Sequence, residues 1–156
     1  MPTAWRLTEA AFAATAFNGE GSVFSRGRWH SPGTRIVYTS DSRALAVLEV
    51  LTRLRGRAPR VPYVLIGVTF PDRAVTRVDL QTLPDNWRAY PGMATLQALG
   101  DAWTTTKTSL VLQVPSAVIT EESNFLINPE HPDATRLTIG AVTPFRFDLR
   151  FFPQPE

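Results

Sequence analysis

Hydrophobic residues recur at helical spacing in the first half of the chain. Between residues 42 and 54, apolar side chains fall at positions 44, 45, 47, 48, 51 and 54, which is the spacing of one helix face. Ser40, Asp41 and Ser42 precede the run, and all three are residue types that cap helix N-termini. The pattern therefore predicts a helix over 42–54.

Runs of β-branched and aromatic residues predict strands elsewhere. They cover residues 5–7, 35–39, 61–70, 110–114 and 137–142, and residues 74–79 are expected to pair near 61–70. Apolar residues at 145, 147 and 149 alternate with charged ones, which predicts a half-buried strand. Residues 94–103 predict a second helix, weakened by Gly100, and residues 9–17 a short helix or turn. About six strands and two or three helices in irregular order indicate the α+β class.

Composition narrows the class of protein. The 156 residues suit one domain, and 44% apolar residues with 19% charged residues argue against disorder. The net charge is only +2 and the arginines are scattered, so a basic stripe for direct nucleic-acid binding is not expected. Four arginines between residues 53 and 60 are either the solvated end of a helix or a patch for an acidic partner.

Several kinds of site are excluded or not expected. The chain has no cysteine, so disulfides and thiolate chemistry are excluded. His30 and His131 lie far apart without companion ligands, so no metal site is expected. Neither a P-loop nor a complete G-x-G-x-x-G is present. With no membrane-length apolar run and no recognisable signal peptide, we expect a cytoplasmic protein without a membrane partner.

The loop over residues 18–32 carries the first candidate residues. Arg28 stands beside Trp29, and its planar, permanently charged guanidinium can grip phosphate oxygens through two hydrogen bonds. The alternative is an arginine that is solvated or paired with a nearby acid. Trp29 and Tyr38 offer rings on which nicotinamide or adenine can stack. The alternatives are a core role for Tyr38 and a lid over the core for Trp29.

Glu49 is the only acid in the predicted 42–54 helix. At about 100° per residue it lies beside Leu45, at the edge of the apolar face. Acids in such positions are paired, exposed or functional. The alternative to a functional role is an ion pair with Arg53, four residues on, worth only a few tenths of a kcal/mol.

Two polar residues follow downstream. Ser116 comes directly after the predicted strand over 110–114 and Pro115, where ligand clefts commonly open. It would otherwise cap the following turn. Asn124 either binds a ligand or bridges backbone groups of a turn.

The order and spacing of these residues resemble the RES family. The resemblance is carried by "WRLT", "GRWHSPGTRIVYTSDSRALAVLEVL", "VPSAVITEESNFLINPEHPD" and "FRFDLRF". The family's arginine, glutamate and serine fall on Arg28, Glu49 and Ser116, its aromatic position on Tyr38 and its asparagine on Asn124. The stretch over residues 71–107 carries less of the signature, and nothing is transferred from it.

The resemblance implies a single RES domain over 1–156 with an ADP-ribosyltransferase-like fold, in which two small β-sheets form an NAD cleft flanked by helices. It implies no cofactor, because NAD is the substrate. RES proteins are the toxins of toxin–antitoxin pairs, and the implied partner is an antitoxin with an Xre-like helix-turn-helix region. Inorganic phosphate as a second substrate and a homodimer within the toxin–antitoxin complex are both left open.

The resemblance also implies roles for the candidate residues. Glu49 would stabilise positive charge on the ribose, and Arg28 would bind the diphosphate. Tyr38 would stack near the nicotinamide, Ser116 would bind the nicotinamide ribose or amide, and Asn124 would support the site. The acceptor of ADP-ribose is water, phosphate or a protein. A different class of function, a catalytically silent domain that binds a nucleotide or a partner, remains the rival.

Overall fold

The computed structural model describes residues 1–90 and 92–154, and seven strands in them form one mixed sheet. The strands are β1 (Thr3–Glu9), β2 (Val37–Ser40), β3 (Tyr63–Thr69), β4 (Val75–Arg77), β5 (Val111–Pro115), β6 (Ser123–Ile127) and β7 (Thr138–Phe145). The α-helices are α1 (Glu20–Val23), α2 (Arg43–Leu54) and α3 (Ala94–Thr106). Short 3-10 helices cover Ala10–Thr15, Asp72–Ala74, Leu80–Thr82, Pro132–Arg136 and Leu149–Phe151. The predicted α+β class is confirmed.

The sheet consists of two halves with a narrow junction. The strand order is β4-β5-β6-β2-β1-β3-β7, and only β4 and β5 run parallel. β1 pairs with β3 along its whole length, whereas a single pair, Trp5 opposite Ser40, joins β1 to β2. The described strands therefore form one sheet, and the two separate sheets implied by the resemblance are not confirmed.

α2 and α3 cover the same face of this sheet. α2 packs with β1 and β3 in a cluster that includes Leu7, Val47 and Leu65, and Trp5 packs against this cluster. α3 packs with β5 and β6 in a second cluster that includes Leu112 and Leu126. Directly opposed residues share a face, as do alternate residues of a strand. Trp5 lies opposite Ser40, and Tyr38, two residues before Ser40, lies opposite Leu126. The two helices thus lie on the same face of the sheet, with α2 over β1 and β3 and α3 over β5 and β6.

The opposite face carries another large apolar cluster. Ala4, Val68, Phe70 and Phe125 are buried there, and the rings of the two phenylalanines meet edge to face. Phe17, Ala134 and Leu137, from segments outside the sheet, pack against the cluster. The sheet is therefore covered on both faces around its centre.

The predicted helix over 42–54 is confirmed in detail. α2 begins at Arg43, and the Ser42 Oγ accepts a hydrogen bond from the backbone N–H of Leu45 at 3.0 Å. The second predicted helix is also present, and it extends to Thr106 despite Gly100.

Two sequence-based predictions are wrong. Residues 74–79 do not pair near 61–70, because β4 instead pairs with β5 at the other edge of the sheet. The alternation from 145 to 149 does not form a strand beyond Phe145. The Asp148 side chain accepts a hydrogen bond from the N–H of Arg150 and caps a 3-10 helix, which turns the chain away from the sheet. Phe147 is still buried, but Leu149 is 65% exposed.

β6 was not predicted, although it is central to the sheet. It lies between β2 and β5 and pairs with both. Its sequence begins with the polar pair Ser123 and Asn124, which read as part of a turn. In the sheet, Phe125 and Ile127 face one cluster and Leu126 faces the other. This burial on both faces explains why β6 lacks a simple alternating pattern.

Among residues 1–90 and 92–154, no helix combines the length and the apolar character that a membrane span requires.

Gly100 allows α3 to approach the loop that contains Trp29. A Cβ at position 100 would lie 1.7 Å from the Trp29 carbonyl oxygen. We therefore expect Gly100→Ala to lower the free energy of unfolding by about 1–3 kcal/mol or more, despite the better helix propensity of alanine. Urea denaturation measures the change. Gly21→Ala is the control, because a Cβ there meets no atom within 4 Å. Equal stability of both variants would show that α3 is free to shift away from Trp29.

Candidate functional site

The Glu49 carboxylate connects three elements of the fold. Glu49 is half-buried on α2, and its Oε1 accepts hydrogen bonds from the Ser116 Oγ at 2.8 Å and the Asn124 Nδ2 at 2.7 Å. Ser116 follows β5 directly and Asn124 lies in β6. Among the described residues, no ion pair joins Glu49 to Arg53, so the structural alternative for Glu49 is not observed. Its carboxylate is held over the sheet between α2 and the ends of β5 and β6.

Ser116 is a positioning residue for this carboxylate. It is completely buried, and its Oγ donates to Glu49 while accepting hydrogen bonds from the N–H groups of Val118 at 3.0 Å and Ile119 at 3.1 Å. A hydroxyl has one hydrogen and two lone pairs, so its capacity is used up. Ser116 therefore caps the turn after β5 and also orients Glu49. In this geometry it has no hydrogen left for the nicotinamide ribose or amide, which corrects the expected direct contact.

Asn124 holds Glu49 from the neighbouring strand. Its Oδ1 accepts a hydrogen bond from the Ser40 Oγ at 2.8 Å, and the two residues are opposed in β6 and β2. A carboxylate only accepts hydrogen bonds, so the NH₂ end of the amide must face Glu49. The alternative reading, in which Asn124 bridges a turn, is wrong because the residue lies within a strand. Ser40, proposed only as a helix cap, belongs to this chain of hydrogen bonds.

Arg28 interacts electrostatically with the same carboxylate. Its Nη1 donates to the backbone carbonyl oxygens of Trp87 at 3.0 Å and Ala89 at 3.1 Å. Burial lowers the pKa of Arg28, the negative charge of Glu49 raises it, and the nearby Arg88 lowers it. The site thus combines an acid and a guanidinium that act on each other electrostatically.

Tyr38 and His30 organise the loop that carries Arg28. The Tyr38 hydroxyl accepts the N–H of Trp29 at 3.2 Å and lies 2.6 Å from His30 Nδ1. His30 Nε2 lies 3.1 Å and 3.0 Å from the carbonyl oxygens of Ser22 and Ser25. Carbonyl oxygens only accept, so Nε2 carries the proton and Nδ1 accepts from the phenol. The loop is thereby fixed by one continuous set of hydrogen bonds.

Both side chains are neutral in this arrangement. Burial raises the pKa of the Tyr38 phenol, and burial lowers the pKa of the His30 imidazole. Gly27 is required beside them, because a Cβ there would lie 2.4 Å from His30 Cε1 and 2.6 Å from the Tyr38 hydroxyl. The Tyr38 hydroxyl is therefore engaged in holding the loop, while its ring is half-buried against the α3 cluster.

Trp29 does not present its ring to a ligand. Only 2% of the residue is exposed, and it packs in the α3 cluster with Leu96 and Trp103. The expected stacking on a nicotinamide or adenine ring is corrected to a role in the core. The reason is the close approach of Gly100 to the Trp29 backbone, which packs the loop tightly against α3.

Arg6 is a candidate that sequence reasoning did not single out. Its Nη1 donates to the Tyr38 carbonyl oxygen at 3.0 Å, beside the narrow junction of β1 and β2. Its Nε is buried and has no hydrogen-bond partner among the described residues. Burial, with a smaller effect from Arg53, lowers the pKa of Arg6 to about 10, so it is charged at neutral pH. The signal in the sequence was an arginine between the apolar Trp5 and Leu7 of a predicted strand.

A surface groove of about 360 Å³ lies elsewhere, beside Arg43 on the exposed part of β1, β3 and β7. The guanidinium of Arg43 sits 3.7 Å above the Trp5 ring and forms one wall. The groove contains no acid and none of the candidate residues. The candidate site at Glu49 is therefore identified by the polar groups that converge there, and not by the volume of a groove. Within the described ranges, no group of three or more His, Asp or Glu residues is placed to hold a metal ion.

Comparisons with known proteins identify a family, relatives with similar sequences and a similar fold. Residues 3–148 match the family model described as RES domain. The chain is 33% identical over 151 residues to "Prs ADP-ribosylating toxin" of Sphingobium sp., covering 94% of each chain. It is 34% identical over 130 residues to "Toxin Res" of Photorhabdus laumondii, covering 83% of each chain. The toxin–antitoxin complex MbcT–MbcA of M. tuberculosis contains a similar fold, with a TM-score of 0.77 at 20% identity, covering 92% of this chain and 84% of the other.

The chain belongs to the RES domain family, and the resemblance drawn from the sequence is confirmed. The match spans every element that builds the site, from β1 to the end of β7.

Ser116→Ala tests the positioning role of the serine. The change removes a donor to Glu49 and the acceptor of two backbone N–H groups, so we expect about 1–3 kcal/mol less free energy of unfolding. Urea denaturation is the measurement. Ser25→Ala is the matched control, because Ser25 is exposed and donates only to the Gly21 carbonyl oxygen, and it should change stability by no more than about 0.5 kcal/mol. An unchanged Ser116→Ala protein would show that water replaces the hydroxyl at no cost.

His30 predicts a pH-dependent loss of stability. Its folded pKa lies below the ordinary 6.5, so the unfolded chain binds the proton first as the pH falls. The contribution of neutral His30 is complete above pH 6.5 and is lost progressively below it, towards the folded pKa. We expect the urea midpoint of wild type to fall more between pH 7.5 and 5 than that of His30→Gln. If the urea midpoints of the two proteins fall equally, groups other than His30 account for the whole loss of stability.

Proposed function

We propose that this chain is the toxin of a toxin–antitoxin pair and that it cleaves NAD at the bond between nicotinamide and ribose. The observation that carries the proposal is the Glu49 carboxylate, held by Ser116 and Asn124, with the Arg28 guanidinium close by. One fixed acid and one fixed cation match the two charged regions of NAD, a cationic nicotinamide riboside and an anionic diphosphate.

The chemistry of this bond suits a site with so few groups. The nicotinamide of NAD is already cationic, so it leaves as a neutral molecule with the bonding electron pair and needs no general acid. The ribose C1′ then carries oxocarbenium-like positive charge, as in glycoside hydrolysis. A nucleophile forms the new bond at C1′ and loses its proton to the medium or to a nearby base. The protein must supply negative charge near the ribose and a firm hold on the diphosphate.

Glu49 is proposed to supply that negative charge. Its Oε1 is held by two donors, which leaves Oε2, without a hydrogen bond to another described residue, as the oxygen that faces a ligand. A carboxylate fixed before the substrate arrives loses little free energy to reorientation in the transition state. Ser116, Asn124 and Ser40 act through Glu49 as positioning residues.

Arg28 is proposed to bind the diphosphate. Its Nη1 is engaged by two backbone carbonyls, and its remaining N–H groups have no hydrogen-bond acceptor among the described residues. Arg6 supplies a second fixed positive charge near Tyr38. Tyr38 and His30 keep the Arg28 loop in place, and Tyr38 offers the part of its ring that is not buried to the nicotinamide end.

The relatives support the toxin role and a protein partner. Two similar proteins carry the name toxin, and the similar fold was solved in a complex of a toxin with its antitoxin. We propose an antitoxin, of the helix-turn-helix class that the family resemblance implies, as the inhibitory partner. Water and inorganic phosphate are the candidate acceptors, and nicotinamide release measured with and without phosphate distinguishes them. NAD is the substrate, and no cofactor is proposed.

Glu49→Gln tests the role of the carboxylate. The amide oxygen can still accept from Ser116 and Asn124, so the fold and NAD binding should persist, with the dissociation constant changed by less than about threefold. Without the charge, we expect the rate of nicotinamide release to fall by about 100-fold or more. The measurements are nicotinamide release and calorimetric NAD binding on the purified protein. Glu20→Gln, at an exposed position on α1, is the control and should retain the wild-type rate.

The outcomes separate the candidate functions. Wild-type turnover in Glu49→Gln would remove the carboxylate from the mechanism. Binding of NAD without any cleavage by the wild-type protein would favour a silent nucleotide-binding domain.

Transfer of ADP-ribose to a protein is the second candidate. It is favoured by the relative named "Prs ADP-ribosylating toxin", which is similar over 94% of this chain. The same bond to nicotinamide breaks first, and a protein side chain replaces water or phosphate as the nucleophile. Incubation with labelled NAD and a bacterial lysate tests this: a labelled protein band that Glu49→Gln abolishes supports transfer, and label found only in small molecules supports NAD degradation.

A further inference from the structure

Residues 84–90, which we name the roof segment, form hydrogen bonds with three parts of the fold near the site. The segment joins the 3-10 helix Leu80–Thr82 to the chain that leads into α3. Arg28 binds it from the loop before β2, Arg55 binds it from the end of α2, and its own Arg88 reaches the loop after β5. These are the same three parts of the fold that carry Arg28, Glu49 and Ser116. The roof segment therefore spans the candidate site.

The contact with Arg28 centres on Arg88. The Arg28 Nη1 donates to the carbonyl oxygens of Trp87 and Ala89, the residues on either side of Arg88. The Arg28 guanidinium therefore lies against the backbone of Arg88. Trp87 is partly buried against the α3 cluster, which fixes this part of the roof segment to the core.

The Arg88 side chain extends from there to the loop after β5. Its Nε donates to the carbonyl oxygen of Ala117 at 3.0 Å, and Ala117 follows Ser116, the hydrogen-bond donor to Glu49. The two terminal nitrogens of Arg88 have no hydrogen-bond acceptor among the described residues. Two N–H-bearing nitrogens, held beside the site by the Nε contact, are thus free to meet a ligand.

The electrostatics of the pair indicate an anion. The positive charge of Arg88 lowers the pKa of Arg28, so the two guanidinium groups repel each other. The Glu49 charge opposes this effect, but its Oε1 is already bound to Ser116 and Asn124. Two guanidinium groups, one of them hydrogen-bonded to the backbone on either side of the other's residue, match a ligand with two adjacent negative groups, each able to accept paired hydrogen bonds.

We propose that Arg88 is a second diphosphate-binding residue, which the roof segment brings to the site beside Arg28. The inference rests on the proposed function, because the diphosphate is that of NAD or of the ADP-ribose left after cleavage. Arg28 and Arg88 bind the two phosphates together, and the tie between Arg55 and the Tyr90 hydroxyl at 3.1 Å holds the far end of the roof segment to α2.

The test compares ligands with and without the diphosphate. The reference protein is the full chain with the single change Glu49→Gln, which keeps the site and suppresses turnover. The test protein carries Arg88→Ala in addition. Calorimetry then measures the dissociation constants of ADP-ribose and of adenosine, which lacks phosphate. Loss of a charge-assisted contact should weaken ADP-ribose binding about tenfold or more and leave adenosine binding within about twofold.

Two further variants serve as controls. Arg73→Ala removes the same charge from an exposed arginine in the 3-10 helix Asp72–Ala74 and should leave ADP-ribose binding within about twofold of the reference. Arg88→Lys keeps the charge but loses the fork and the Nε contact with Ala117, and should weaken ADP-ribose binding about three- to tenfold. Arg88→Lys decides the question if Arg88→Ala is unstable in urea.

The results distinguish the inference from the proposed function. ADP-ribose binding that is unchanged in Arg88→Ala, or weakened equally for ADP-ribose and adenosine, overturns the role of Arg88 while leaving the NAD site in place. If the reference protein binds no ADP-ribose and the wild-type protein releases no nicotinamide, the proposed function is overturned, and this inference with it.

Discussion

The hydrogen bonds of the Glu49 carboxylate determine how the rest of the site is arranged. A half-buried charge is costly unless it is paired or hydrogen-bonded, and Ser116 and Asn124 supply two donors from the ends of β5 and β6. The carboxylate thereby ties α2 to the half of the sheet on which α3 packs. Ser40 extends the chain to β2. The residues that orient the acid are thus also part of the framework of the fold.

A second set of hydrogen bonds, built from neutral groups, places the cation. Tyr38 and His30 link β2 to the loop that carries Arg28, and Gly27 lets the imidazole and the phenol approach the backbone. Because both groups stay uncharged, neither adds a competing charge beside Arg28 and Glu49. Glu49 and the guanidinium groups are therefore the charges that a ligand meets.

The sequence predicted the two main helices better than it predicted the sheet. Glu49 stood out because it was the one acid on an amphipathic helix, and this signal depends only on local spacing. β6 and the partner of β4 were missed because strand pairing depends on residues far apart in the chain. The burial of Trp29 was missed for a related reason: the close packing against Gly100 joins residues 71 positions apart.

By itself, the sequence determined the class of fold, the family and the helix over 42–54, because each is written in short patterns and residue types. Only the tertiary structure decided that Ser116 serves Glu49 rather than a ligand, that Trp29 belongs to the core, and that Arg88 reaches the loop after Ser116. Those properties depend on which donors and acceptors meet across distant segments. A hydroxyl has the same chemistry in any sequence, and its hydrogen-bond capacity is assigned only when the chain has folded around it.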